Sequence, residues 1–210
     1  MISVDDFRYG IFCERFAKYG LNCPMPRLYS GFQLKNGIYK ESGFIKTKNL
    51  CNCYFTHIAL VKTAQSLDWP YIVIFEDDAL PCKEIVRKLS YYLDALPDDA
   101  DIFKMGHLRY IDNPVELTKD FIRVRTYGSH AYVIFKKYYQ DYIDIASNKD
   151  FHVDCTCMNN PSKNIYTPKE CLFIQEDGCF KNTVLHHHSK DRVFFNSESL
   201  KNNFEIEGYK

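Results

Sequence analysis

No stretch of the 210-residue sequence approaches the roughly 18 consecutive apolar residues that mark a membrane-spanning helix. Net charge is lacking as well. Lys and Arg together number 27, as do Asp and Glu, and that balance gives no global support for binding nucleic acid or an anionic membrane. The opening stretch, MISVDDFRYGIF, carries acids and lacks the basic-then-apolar layout of a secretory signal, so a cytoplasmic location is expected. There is no internal repeat, low-complexity tract or Gly/Ser linker. One domain over residues 1–210 is therefore expected, with the tail from about residue 178 unassigned.

Regular cysteine spacing is also missing. Nine cysteines, an odd number without a secretion signal, point to reduced thiols. Cys51/Cys53 and Cys155/Cys157 have one intervening residue, whereas paired cysteines of structural zinc sites are usually two to four residues apart. Both pairs are expected to be inert thiols.

What is abundant is apolar and aromatic material: 46% hydrophobic residues, with 16 Tyr and 16 Phe, enough for an ordered core. Residues 1–5 suggest a short strand. In residues 6–19 Phe7, Ile11, Phe12, Phe16 and Tyr19 fall at helical spacing before Gly20. Residues 53–67 read as a mostly buried helix, YIVIF at 71–75 as a strand inside a sheet, and 83–95 as a helix. DIFKMG, FIRVRT and TPKECLFIQ read as strands, and GSHAYVIFKKYYQDYIDIA as strand into helix. This alternation predicts an α/β sheet with helices on both faces.

The strand YIVIF runs directly into Glu76, Asp77 and Asp78. Ligands of open α/β sheets bind at the carboxyl ends of strands, and clustered carboxylates there suit a hard divalent cation. Strand alternation would place Glu76 and Asp78 on one side and Asp77 on the other. The competing reading is a solvated loop whose acids sit near a helix N-terminus.

The segment CNCYFTHIALVKTAQSLDWPYIVIFEDDALP resembles the signature region of the family 25 glycosyltransferases, the lipooligosaccharide and collagen galactosyltransferase group. Thr56 and His57 match that family's hydroxyl–His pair, and Glu76, Asp77 and Asp78 match its Glu-Asp-Asp motif. Gly128, Ser129, His130, Ala131 and Tyr132 are similar to its Gly-Thr-His-Ala-Tyr block. Asp154 and the stretch ending in Gln175 follow in the family's order, so the likeness spans roughly residues 2–177. The chain departs from the pattern at Asp6, where the family usually carries Arg.

The resemblance implies a GT-A-like, Rossmann-like sheet, mixed and mostly parallel. It implies inverting transfer of a sugar, galactose from UDP-galactose in the typical case, onto a glycan acceptor of a surface polysaccharide or lipooligosaccharide. Mn²⁺ or Mg²⁺ would assist, and the work would be done in the cytoplasm or at the inner face of the membrane. On that reading Asp78 is the first metal ligand, supported by Glu76, with Asp77 and Glu76 near the ribose. Asp154 is the candidate general base, with Asp177 or Glu176 as rivals; for Asp154 an N-capping role is the alternative. His130, Gly128 and Ser129 are candidate donor or acceptor contacts, and His57 is either a contact or a packing group. One of His186, His187 and His188 could reach the cation, with His186 and His188 preferred; a solvated surface run is the other reading. Two competing functions stay open: a metal-dependent phosphohydrolase, or a non-catalytic zinc- or glycan-binding module on a degenerate transferase fold.

Overall fold

The computed structural model describes residues 2–3, 6–21, 28–29, 48–108, 110–147 and 153–175. In chain order the elements are β1 (Ile2–Ser3), α1 (Asp6–Lys18), β2 (Leu28–Tyr29), α2 (Lys48–Ser66), β3 (Tyr71–Phe75), β4 (Ala79–Pro81) and α3 (Ile85–Ala95). They continue with β5 (Ile102–Lys104), β6 (Val115–Glu116), β7 (Phe121–Arg123), β8 (Ala131–Phe135), α4 (Tyr139–Ser147), β9 (Ile165–Pro168) and β10 (Phe173–Gln175). Among the described residues no helix is long and apolar enough to cross a membrane.

Six strands form one mixed sheet in the order β3-β8-β5-β9-β7-β6. Strand alternation divides their side chains between two cores. Ile72, Ile74, Ile102, Tyr132 and Ile134 pack with Tyr54, Ile58 and Val61 of α2 and with Tyr142 and Ile143 of α4. Phe75, Phe103, Ala131, Val133 and Phe121 pack on the other face with Phe12 and Phe16 of α1 and Ile85 and Tyr92 of α3. Helices cover both faces, as the alternation of elements predicts.

The strand directions correct the expectation of a mostly parallel sheet. Within this sheet β5 and β9 pair in parallel, while β3–β8, β8–β5, β9–β7 and β7–β6 are antiparallel. The apolar character of β8 reflects burial on both faces and that of β3 the burial of Ile72, Ile74 and Phe75, which constrains composition without fixing direction. β3 is also an edge of this sheet, and Tyr71 and Val73 on it are exposed. At its carboxyl end it gains a second neighbour through a parallel bridge between Ile2 and Glu76.

The stretch TPKECLFIQ, expected to be one strand, is shared between two. β9 ends at Pro168 on the main sheet, and β10 then pairs antiparallel with β4, Gln175 opposite Ala79. Proline has no amide hydrogen to continue a ladder, which suits the break. The β4–β10 pair brings the end of the described chain against the turn after β3.

Candidate active site

β3 stops at Phe75, and the acidic residues form a turn closed by the Ala79 amide on the Glu76 carbonyl at 3.1 Å. The extended alternation expected for Glu76–Asp78 is thereby overturned: the three carboxylates fan out to three different elements. Glu76 reaches α2, where His57 Nε2 lies 3.1 Å from its Oε1, and Ser129 Oγ donates to the same oxygen at 2.5 Å. Asp77 pairs with the Arg8 guanidinium of α1. Asp78 accepts from Gln175 Nε2 of β10 at 2.7 Å through Oδ2.

These partners set different electrostatics within one short turn. Burial alone would raise the Glu76 carboxyl, yet the hydrogen bond and charge of His57, with the Ser129 bond, hold it below its ordinary value. Asp78 goes the other way. Burial first, and then the neighbouring Glu76 charge, push it up to about 7 against the opposing Gln175 bond. Its second oxygen, Oδ1, is buried with no hydrogen-bond partner among the described residues. A buried acceptor without a donor is costly, so this oxygen is where a cation has most to offer. Replacing Gln175 with alanine is expected to move the Asp78 pKa further above 7, read by carbon-detected NMR titration of the side-chain carboxyl. An unchanged or lower value would refute this electrostatic account.

The remaining walls come from the amino end of β8 and the carboxyl end of β5. The Glu76 amide donates to the His130 carbonyl at 2.9 Å, which locks the acidic turn to the loop before β8. His130 is fully buried and donates from Nε2 to the Phe173 carbonyl at 3.1 Å. Burial lowers its pKa, so it sits there neutral. Gly128 has φ 102°, a conformation that favours glycine, and its amide donates to Asp154 Oδ2 at 2.9 Å. The other Asp154 oxygen accepts from the Cys155 amide at 2.9 Å. Asp154 therefore organises the Gly128 loop and the start of its own turn. Asp177, Glu176, His186, His187 and His188 lie outside the described residues.

His57 is fully buried, with Nδ1 2.6 Å from the Tyr132 hydroxyl. It orients Glu76 from within the core. Lys104 of β5 is also fully buried and donates to the Thr126 carbonyl at 3.0 Å. Burial brings its pKa down to about 8, with Asp154 opposing that fall. Arg8 and Lys104 escape a reading of the sequence for site residues, while Cys53 enters it only as an expected inert thiol and Tyr132 and Gln175 only through the family likeness. Lys104 alone carries a local signal, a charge in the middle of the apolar strand DIFKMG.

The chain matches no model of a known protein family and no curated protein.

The donor set fits a hard divalent cation at Asp78: a buried carboxylate oxygen with no hydrogen-bond partner among the described residues, beside two further carboxylates. Mg²⁺ and Mn²⁺ are commonly held by one or two protein carboxylates plus substrate phosphates. Glu76 Oε1 and Asp77 are already engaged by His57, Ser129 and Arg8, whereas Asp78 Oδ1 is buried with no hydrogen-bond partner among the described residues.

Proposed function

We propose that the protein is a metal-dependent inverting glycosyltransferase with a GT-A-like fold, acting on a nucleotide sugar, UDP-galactose being the first candidate donor. Asp78 Oδ1, buried and without a hydrogen-bond partner among the described residues, carries this reading. It stands at the carboxyl end of a strand, where α/β folds bind nucleotides. The likeness of the His57, Glu76–Asp78 and Gly128–Tyr132 segments to the family 25 enzymes supports the choice of reaction.

In this reading Asp78 holds the Mn²⁺ or Mg²⁺, and a bound cation offsets charge on the departing diphosphate. Gln175 keeps the Asp78 carboxylate oriented through Oδ2 and leaves Oδ1 open. Asp77, held by Arg8, and Glu76, held by His57 and Ser129, present fixed acceptors to ribose hydroxyls. Asp154 takes the proton of the acceptor hydroxyl as that oxygen attacks the sugar C1 opposite the leaving nucleotide. The acceptor is a glycan of a surface polysaccharide or lipooligosaccharide, and the work is done in the cytoplasm, including the inner membrane face.

Calorimetry with a panel of nucleotide sugars, with and without Mn²⁺, tests the proposal. Binding of at least one UDP-sugar that depends on Mn²⁺ is expected. Absence of binding across the panel sinks the transferase reading, and release of phosphate from simple phosphoesters would favour a phosphohydrolase in its place.

A further inference from the structure

A second group of donors includes Glu76 of the acidic turn. Cys53 and His57 are four residues apart on α2, so their side chains share one face of the helix. That face meets the end of β3, and a ligating atom from each of Cys53, His57 and Glu76 lies within 4.8 Å of the other two. From these residues we infer a borderline-soft metal site, built for Zn²⁺ and separate in its chemistry from the oxygen-donor position at Asp78.

The geometry is close to what tetrahedral zinc needs. Metal–ligand bonds of about 2.0–2.3 Å put neighbouring ligand atoms roughly 3.3–3.7 Å apart. His57 Nε2 and Glu76 Oε1, at 3.1 Å, are already near that separation. The Cys53 sulfur has to close a gap on the order of 1 Å, within reach of a rotation about its own Cα–Cβ bond. One sulfur, one imidazole nitrogen and one carboxylate oxygen make a donor set suited to zinc and poorly suited to Mg²⁺ or Mn²⁺. Three protein ligands leave a fourth position for water or a ligand, as in zinc sites that remain open.

The surroundings also fit. A metal-bound histidine ordinarily donates its other ring N–H to an acceptor that fixes the tautomer. His57 Nδ1 has such an acceptor in the Tyr132 hydroxyl at 2.6 Å, and Tyr132 in turn faces the Tyr142 hydroxyl at 3.4 Å. Without a metal, a proton on Nε2 joins His57 to Glu76, and Nδ1 accepts from Tyr132. With Zn²⁺ on Nε2, the proton sits on Nδ1 and is donated to Tyr132, whose own hydroxyl hydrogen turns to Tyr142. Cys53 loses its thiol proton to solvent when the metal binds. Burial, and then the charges of Glu76, Asp78, Asp154 and Asp77, raise the metal-free thiol well above its ordinary value, which disfavours an uncomplexed reactive thiolate here. A divalent cation reverses that balance.

The inference does not rest on the glycosyltransferase reading, and its test uses no nucleotide sugar. Full-length protein stripped of metal would be titrated with Co²⁺ while the thiolate-to-cobalt charge-transfer absorption is followed. One equivalent is expected to saturate the band, and Zn²⁺ to displace it. Cys53→Ser should abolish the band, whereas Cys155→Ser, at an exposed thiol, should leave it intact. Tyr132→Phe removes only the hydroxyl that orients His57 and should weaken Zn²⁺ binding by about 10-fold with the band retained. It supplies an independent reading if Cys53→Ser does not fold. No thiolate band in the wild-type protein, a band that survives Cys53→Ser, or unaltered Zn²⁺ affinity in Tyr132→Phe would each overturn the site.

Discussion

Asp78→Ala is expected to remove Mn²⁺-dependent nucleotide-sugar binding altogether, a loss of roughly 100-fold or more, while the chain stays folded. Loss of groups that merely orient a ligand costs about 10–100-fold in metal affinity, so loss of the ligand itself should cost at least that. Calorimetry with a UDP-sugar in Mn²⁺ is the measurement. Retained Mn²⁺-dependent binding in the variant would show that Asp78 is not the anchor.

The same residue makes a pH-dependent prediction with the opposite sign for stability. The Asp78 carboxyl titrates near 7 in the folded chain against an ordinary value of 3.8. Well below pH 3.8 it is neutral whether the chain is folded or unfolded, and the folded state bears no penalty. As the pH rises toward 7 the unfolded chain ionises first, so the stability present at low pH is progressively lost, and the loss is complete above 7. Asp78→Asn removes the charge and keeps an oxygen for Gln175. Metal-free Asp78→Asn should therefore melt higher than metal-free wild type at pH 8, by roughly 5–10 °C, with the gap closing near pH 4. Mn²⁺ should reverse the order by stabilising only the protein that binds it. Equal melting temperatures at pH 8 without metal would contradict the strained state assigned to Asp78.

The second large effect belongs to a glycine. A methyl group at Gly106 would lie 2.3 Å from His130 Nε2 and 2.7 Å from the Phe173 carbonyl oxygen. The imidazole is fully buried and the carbonyl is backbone, so neither can yield cheaply. Gly106→Ala is expected to destabilise the chain by about 3 kcal/mol, at the upper end for overpacking, and to lower the melting temperature by roughly 6–12 °C. Gly10 in α1 is the internal control, since nothing lies within 4 Å of its would-be methyl group. Gly10→Ala should be neutral or stabilising by up to about 1 kcal/mol. Similar melting temperatures for the two variants would mean that the Gly106–His130 contact is not close.

Much of this architecture is legible in the chain because short-range patterns carry it. Phe12 and Phe16, one helical turn apart, mark the buried face of α1, and the apolar run 71–75 marks β3. What the pattern does not carry is direction. Burial of Ile72, Ile74 and Phe75 in β3, and of both faces of β8, leaves the same apolar signature that a parallel sheet would, so their antiparallel pairing is invisible locally. The alternation argument failed at Glu76–Asp78 because the strand gives way there to a turn, with a separate partner for each acid. The expectation that Cys53 is an inert thiol rests on the one-residue spacing of its pair and on its place at a helix start, and neither speaks to its neighbours in space. Its neighbours in space are a histidine one helical turn on and a glutamate beyond the next loop. Such a set is assembled by packing and leaves no regular interval in the sequence.

The acidic turn has a kinetic consequence. Asp77 is tied to a residue 69 positions before it, and Asp78 to one 97 positions after it. Contacts of such separation require long loops to be closed first, which slows folding. The turn can acquire its final partners only after α1 has docked from one end and β10 from the other. During synthesis Arg8 and His57 are present before the turn emerges, so Asp78 is the carboxylate whose partner comes last, with Gln175. The Asp78–Gln175 contact is thus among the last of the turn's contacts to form.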